Sequence, residues 1–129
     1  LADLPELDRW ILHRLAEVND ACRRAYANYT FHLVVQQLVN FCAVDLSALY
    51  LDIAKDRLYC SPPRSPQRRA AQTALDRILD ALVRLMAPIL GFTAEEVWGC
   101  LPPGRERPGN VLLAGFAATE TLDAALAAK

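Results

Sequence analysis

The chain has 129 residues, of which 53% are apolar and 22% are charged. That length suits one ordinary domain with a buried core, and the apolar content excludes a disordered chain. The formal net charge of −1 excludes nucleic-acid binding through an overall positive charge. Any RNA binding must therefore come from local groups of arginine and lysine.

The cysteines lie far apart in the chain and form no Cys-x-x-Cys pair: Cys22, Cys42, Cys60 and Cys100. Because the two histidines are also isolated, this spacing predicts no metal site. Two of the cysteines occupy core-like positions of helical patterns, which favours reduced thiols over disulfides. No signal peptide is recognisable and no apolar run reaches transmembrane length, so we expect a cytoplasmic protein without membrane contact.

The first part of the chain predicts two helical stretches. The first runs from about Pro5 to Tyr26, with Asp3 as its N-cap. Its apolar residues recur at spacings of three and four, as on one face of a helix: Leu7, Ile11, Leu15, Val18, Cys22 and Ala25. The second runs from about Thr30, a suitable cap, to about Tyr59.

Asp45 falls within the apolar side of the second stretch, where an unpaired carboxylate would be costly. Either Asp45 pairs with an arginine, or it caps a restart and the helix kinks near Val44. The apolar side itself is predicted to contain Phe31, Val34, Val35, Leu38, Phe41, Cys42, Leu46, Leu49, Tyr50 and Ile53.

Ser65 and Pro66 predict the cap and first position of a third helix, which Pro88 and Gly91 end or kink. Thr93 and Glu96 match a capping box for a short fourth helix, and residues 111–113 suggest a short extended segment. The predicted fold is all-α: an up-and-down four-helix bundle with a kinked second helix and a short C-terminal extension. Residues 1–116 form the bundle, and residues 117–129 begin a truncated helix or linker.

No catalytic constellation is recognisable, because the chain has no Gly-rich phosphate loop and no nucleophile with a plausible histidine partner. Three local groups could instead bind RNA through guanidinium, ammonium and aromatic side chains. They are Arg9, Trp10, His13 and Arg14 on the first helix, Lys55 and Arg57 near the end of the second, and Arg64, Arg68 and Arg69 around the start of the third. For each group the alternative is a solvated or ion-paired helix face.

The stretch YTFHLVVQQLVNFCAVDLSALYLDIAKDRLYC, residues 29–60, resembles isoleucyl-tRNA synthetases of the bacterial type. The opening ELDRWILHRL and the later SPQRRAAQTALDRILDALVRLMAPILGFTAEEVW resemble other helices of the same anticodon-binding domain. The resemblance covers about residues 3–116. It implies a non-catalytic fragment of an isoleucine–tRNA ligase that contacts the anticodon arm of tRNA(Ile).

The resemblance also implies where the missing chemistry lies. ATP with magnesium, and zinc, are expected only in other parts of the parent ligase, and no cofactor is expected in this fragment. The expected partners are the tRNA and the catalytic and C-terminal domains of the same chain, in a monomer. The alternatives are a structural bracing role in the same enzyme, or the equivalent domain of a valyl-, leucyl- or methionyl-tRNA synthetase.

Overall fold

A computed structural model of the chain describes residues 4–102 and 107–118, and within those ranges the fold is all-α, as predicted. Four helical rods follow one another along the chain. The first, third and fourth are single helices, whereas the second is one continuous rod with a π-helical centre. The elements are α1 (Glu6–Ala27), α2 (Phe31–Asn40), the π segment (Phe41–Leu51), α3 (Asp52–Cys60), α4 (Pro66–Met86), α5 (Gly91–Gly99) and a 3₁₀ turn (Val111–Ala114).

Helix α1 agrees with the predicted stretch to within one residue at each end. Pro5 stands at its N-cap position, while the predicted cap Asp3 lies outside the described residues. At the other end Tyr29 adopts a left-handed conformation with φ of 56°. The N–H groups of Tyr29 and Thr30 donate to the carbonyls of Tyr26 and Ala25 at 3.1 and 2.9 Å, which is the Schellman arrangement that ends a helix and reverses the chain.

The π segment decides which side chains of the second rod face the core. Its hydrogen bonds span five residues, so its turns are wider than those of an α-helix. Tyr50 and Ala54 are fully buried, whereas Leu49 and Ile53, which the sequence predicted to be on the apolar side, are 42% and 50% exposed. The prediction assumed an α-helical period throughout, and the wider turns shift the buried face.

Asp45 lies in the middle of the π segment and resolves the two alternatives posed by the sequence. Its carboxylate accepts a hydrogen bond from Arg14 Nη2 of α1 at 3.1 Å, and both side chains are partly buried. The backbone is helical on both sides of the segment, at Asn40 and at Asp52. Asp45 therefore pairs with an arginine within an unbroken rod and does not cap a restart.

The start of α4 is as predicted, but the start of α5 is not. Ser65 Oγ accepts from the N–H of Arg68 at 3.3 Å, with Pro66 as the first helical residue. Helix α5 begins at Gly91, so Thr93 is already inside the helix and caps nothing by its side chain. The predicted capping box is therefore wrong, and the helix begins three residues earlier, with Leu90 in place of Thr93 at the N-cap position.

Two cores hold the rods together. The larger lies between α1, the second rod and α4, and includes Ile11, Phe41 and Ile78. The smaller lies between α4, α5 and the 3₁₀ turn, around Trp98 and Val111. A bracing role predicts an exposed apolar patch around Trp98 and residues 111–113. Trp98 and Val111 are buried, at 6% and 2% exposure, whereas Leu112 and Leu113 are 60% and 77% exposed.

Charged groups of α4 and of the segment after α5 border the smaller core. Asp80 is only 7% exposed, and its carboxylate lies 3.1 Å from Arg84 Nε. The guanidinium groups of Arg84 and Arg107 lie 5.2 and 5.6 Å from the centroid of the Trp98 ring. Cation–π contacts and the ion pair together compensate for burying the carboxylate.

The main core extends past the predicted domain boundary at residue 116. Ala117 is buried and packs into the larger core. Its carbonyl accepts a hydrogen bond from Asn19 Nδ2 of α1 at 3.2 Å. Residues 119–129, where the truncated helix was predicted, lie outside the described part of the chain.

One helix is long and apolar enough to span a membrane by length and composition alone, namely the whole second rod, Phe31–Cys60. This corrects the expectation that the chain contains no such stretch. The criterion discriminates poorly, because core helices of bundles also meet it. The rod packs against α1 and α4 and makes ion pairs with α1 through Asp45 and Arg57, which is how a bundle helix behaves.

The cysteines supply a test of this packing. Cys22 is fully buried in α1, and burial raises the pKa of its thiol to about 11. At pH 8 only about one such thiol in a thousand is ionised, and the thiolate is the reactive form. We expect an alkylating reagent to label the exposed Cys60 and Cys100 rapidly, and Cys22 only after unfolding, as measured by peptide mass spectrometry. Equal labelling of Cys22 and Cys60 in the native protein would contradict the fold.

Candidate functional site

One end of the bundle brings together the start of α1, the end of α3 and the start of α4. This end, called the basic end below, is where most of the predicted RNA-contacting side chains lie. Helices α1 and α4 leave it in parallel, and the second rod returns to it. At the far end Tyr26 Oη of α1 donates to the carbonyl of Leu85 in α4 at 2.6 Å. Burial raises the pKa of Tyr26 to about 12, so this phenol remains a donor.

A buried carboxylate ties the basic end together. Asp8, in the first turns of α1, is fully buried, yet both of its oxygens are paired. Arg57 of α3 donates from Nη1 to Oδ2 at 2.9 Å and from Nη2 to Oδ1 at 2.8 Å, and Tyr50 Oη donates to Oδ1 at 2.7 Å. A bidentate guanidinium and a phenol together satisfy the charge that burial would otherwise penalise.

The pKa values of the two donors follow from this arrangement. Hydrogen bonding to Asp8 raises the pKa of Arg57 despite partial burial, so the guanidinium stays charged. Burial, with the hydrogen bond to Asp8, raises the pKa of Tyr50, which keeps the phenol protonated and able to donate. Arg57 was predicted to contact RNA, but the structure commits its guanidinium to a carboxylate inside the protein.

Lys55 lies two residues before Arg57 in α3 and projects into solvent. Its Nζ donates to Asp52 Oδ1 at 2.6 Å, and this hydrogen bond raises the pKa of Lys55. Both side chains are more than half exposed. An exposed pair of this kind contributes little and exchanges partners readily, so Lys55 remains accessible to another anion.

The first-helix group does not form one exposed patch. His13 is buried at 6% exposure, and Trp10 packs against the larger core. Arg14 is shared between Glu17 and Asp45, and these two carboxylates outweigh its burial and raise its pKa. Arg9 is partly buried, and its Nε has no hydrogen-bond partner among the described residues.

The third group lies in a segment without acidic residues. Between Arg57 and Asp76 the chain contains three arginines, Arg64, Arg68 and Arg69, and no aspartate or glutamate. Arg64 and Arg69 are exposed. Arg68 is partly buried and donates from Nη1 to the carbonyl of Ser61 at 3.2 Å, which joins the end of the second rod to the start of α4.

No group of three or more His, Cys, Asp or Glu side chains suited to a metal ion occurs among the described residues. The exposed cations at the basic end are Lys55, Arg64 and Arg69. Such a surface binds anionic polymers, and RNA in particular.

Comparison with known proteins assigns the domain to a family. The family sequence profile described as the anticodon-binding domain of tRNA ligases matches residues 8–128, almost the entire chain. The chain belongs to this family.

The domain is also similar in sequence to the corresponding part of several isoleucine–tRNA ligases. It is 52% identical over 111 residues to that of Desulforudis audaxviator and 54% identical over 112 residues to that of Symbiobacterium thermophilum, in each case over 86% of this chain. Against the isoleucine–tRNA ligase of Xanthomonas oryzae pv. oryzae the identity is 48% over 98% of the chain. The domain spans only about 12% to 14% of the length of these relatives.

The predicted RNA-binding side chains of this anticodon-binding domain do not form one common exposed surface. Arg57 and Arg14 are held in ion pairs with other helices, and His13 and Trp10 lie against the core. Their spacing suggested a shared face, but their partners, Asp8 and Asp45, come from distant parts of the sequence. Contact with RNA stays a prediction for all nine residues, of which Lys55, Arg64 and Arg69 are the exposed ones.

Sequence reasoning missed the network around Asp8. From the sequence, Asp8 suits the positive start of the first helix and Tyr50 falls on the apolar side of the second stretch, and neither observation predicts their pairing. The available signal was that Asp8 lies on the helix face next to Leu7 and Ile11, where a solvated carboxylate is not expected.

The Asp8–Arg57 pair gives a direct stability test. Arg57→Ala would leave a fully buried carboxylate paired only with Tyr50, so we expect a loss of about 3–5 kcal/mol in the free energy of unfolding. Urea denaturation followed by circular dichroism measures it. The matched control is Lys55→Ala, which removes a cation from the same helix but from an exposed pair, and should leave the midpoint unchanged. A similar midpoint for both variants would show that the buried pair is not important for folding.

Proposed function

We propose that this domain holds the anticodon arm of tRNA(Ile) within an isoleucine–tRNA ligase. The observation that carries the proposal is the acid-free segment between Arg57 and Asp76, placed at one end of the bundle with its arginines exposed. A chain with a net charge of −1 can bind RNA only where positive charge is locally unopposed. The segment itself carries no acid, although the exposed Asp52 and Asp56 of α3 precede it, and the positive end of the α4 dipole adds to its charge.

The choice of isoleucine rests on the relatives. Those named above are all isoleucine–tRNA ligases, at about half identity over most of this chain. The parent ligase would activate isoleucine with ATP and magnesium in another domain, and zinc would belong to its C-terminal region. This domain would bind no cofactor itself. The parent protein would act in the cytoplasm as a monomer, without contact with a membrane.

A second function, bracing other parts of the ligase, is favoured by an apolar groove at the far end of the bundle. The groove lies between α2 and the turn that joins α4 to α5, and is lined by Phe31, Val35, Val39, Pro88, Ile89 and Leu90. Five of these side chains are large hydrophobics that are at least 40% exposed. Exposed apolar surface of this kind usually marks an interface. Because the relatives are several times longer than this chain, we propose that another part of the same polypeptide covers it.

The first proposal is tested in the full-length ligase with Arg64→Gln and Arg69→Gln combined. If each arginine neutralises a phosphate, tRNA affinity falls about ten-fold or more at low salt. The negative slope of the logarithm of the association constant against the logarithm of the salt concentration becomes shallower by about 1.5. Filter binding at a series of salt concentrations measures both quantities. Isoleucine-dependent ATP–pyrophosphate exchange should be unchanged.

The matched control is Arg23→Gln with Arg24→Gln, which removes two exposed arginines from α1 at the far end. This variant has the same net charge as the test variant, so a purely global electrostatic effect would weaken both equally. Equal binding by both variants, or an unchanged salt slope in the test variant, would contradict the assignment of the basic end.

The bracing function is tested by Val35→Glu with Ile89→Glu in the same full-length ligase. Charges in the groove should weaken the contact with the rest of the polypeptide, so limited proteolysis should cleave the ligase near this domain several-fold faster. The Arg64→Gln and Arg69→Gln variant serves as the control and should be cleaved at the wild-type rate. Unchanged cleavage of the groove variant would rule the bracing interface out.

A further inference from the structure

Tyr59, in the last turn of α3, is one of the most exposed aromatic residues of the domain, at 84%. Its hydroxyl has no protein partner among the described residues and its ring covers no core. A large aromatic ring gains nothing in folding from such a position. The ring is therefore free to contact a partner in solution.

The backbone that carries Tyr59 is held from several sides. Two residues before it, Arg57 is bound to Asp8 of α1, and Leu58 packs against the larger core. Two residues after it, the carbonyl of Ser61 accepts from Arg68 of α4 at 3.2 Å. The ring is thus presented to solvent from a fixed position, which lowers the entropic cost of binding a partner.

Position separates Tyr59 from the other strongly exposed aromatic residues of the described chain. Tyr29 and Phe92, exposed at 81% and 97%, both lie at the far end of the bundle, near the apolar groove. Helix α1 spans about 30 Å between the two ends. Tyr59 instead lies at the basic end, in the turn that leads to Arg64 and then to Arg69.

We propose that the ring of Tyr59 stacks on an unpaired base of the anticodon loop, while Arg64 and Arg69 hold neighbouring phosphates. This rests on the proposed function and assigns it a base-contacting residue. Single-stranded RNA is bound by this combination of aromatic face and cationic groove, since every base offers a π face. A base-paired stem would offer its phosphates but no free face, which is why the loop is the partner named.

The test uses the full-length ligase and three variants, Tyr59→Ala, Tyr59→Phe and the control Tyr29→Ala. Tyr59→Ala should weaken binding of tRNA(Ile) about ten-fold or more, because stacking on one base is lost. Tyr59→Phe keeps the face and should bind within about two-fold of wild type. Tyr29→Ala removes an equally exposed phenol from the far end and should have no effect.

The salt dependence identifies the interaction. Stacking releases no counterions, so Tyr59→Ala should lower affinity by the same factor at every salt concentration and keep the wild-type slope. Loss of Arg64 and Arg69, by contrast, should make the slope shallower. A shift of the Tyr59→Ala slope, or a loss in Tyr59→Phe as large as in Tyr59→Ala, would overturn stacking in favour of a polar contact.

The outcomes also separate this inference from the proposed function. If Tyr59→Ala binds normally while the Arg64→Gln and Arg69→Gln variant binds poorly, the stacking role is wrong and the RNA-binding role stands. If none of these variants changes binding, the basic end does not contact tRNA and both proposals fail. We expect Tyr59→Ala to unfold at the same midpoint temperature as the wild type, because the ring is outside the core.

Discussion

The ion pair between Asp8 and Arg57 determines where the rest of the basic end lies. A fully buried carboxylate requires both the bidentate guanidinium and the Tyr50 hydroxyl, so the start of α1 and the end of α3 must remain adjacent. Everything carried by the last turn of α3 and the loop after it is positioned by that requirement. Arg57, a side chain that seemed suited to binding RNA, is thus used to hold the end of α3 against α1.

The two ends of the domain differ in chemistry because different sequence segments meet there. The basic end collects a stretch of chain without acids, while the far end collects the apolar turns after α1 and α4. A polar, hydrated surface suits a partner that binds and leaves, as a tRNA must in each catalytic cycle. An apolar one suits a permanent neighbour, which is what another domain of the same polypeptide would be.

Local patterns were sufficient to predict the helices, but not which side chains of each helix face the core or a partner helix. Pro5, Ser65 and Pro66 mark helix starts through local backbone chemistry, and α1 and α4 begin within a residue of expectation. Thr93 carries the same local signal and failed, because the helix begins earlier, at Gly91. The partner of a charged residue is beyond any local pattern, since Asp8 and Arg57 are 49 positions apart in the chain.

Because of the π segment, the geometry of the basic end depends on the number of residues in that segment as well as on side chains. Each residue of an α-helix advances the rotation by about 100°. Deleting one residue between Phe41 and Leu51 while the wide turns persisted would rotate α3 about its own axis, by somewhat less than that angle because wide turns advance less per residue. Arg57 would then point away from Asp8, although every residue of both partners remained in place. The ion pair would be lost through a rotation of α3, without any substitution at Asp8 or Arg57. A comparison of homologous domains at those two positions alone would not reveal the loss.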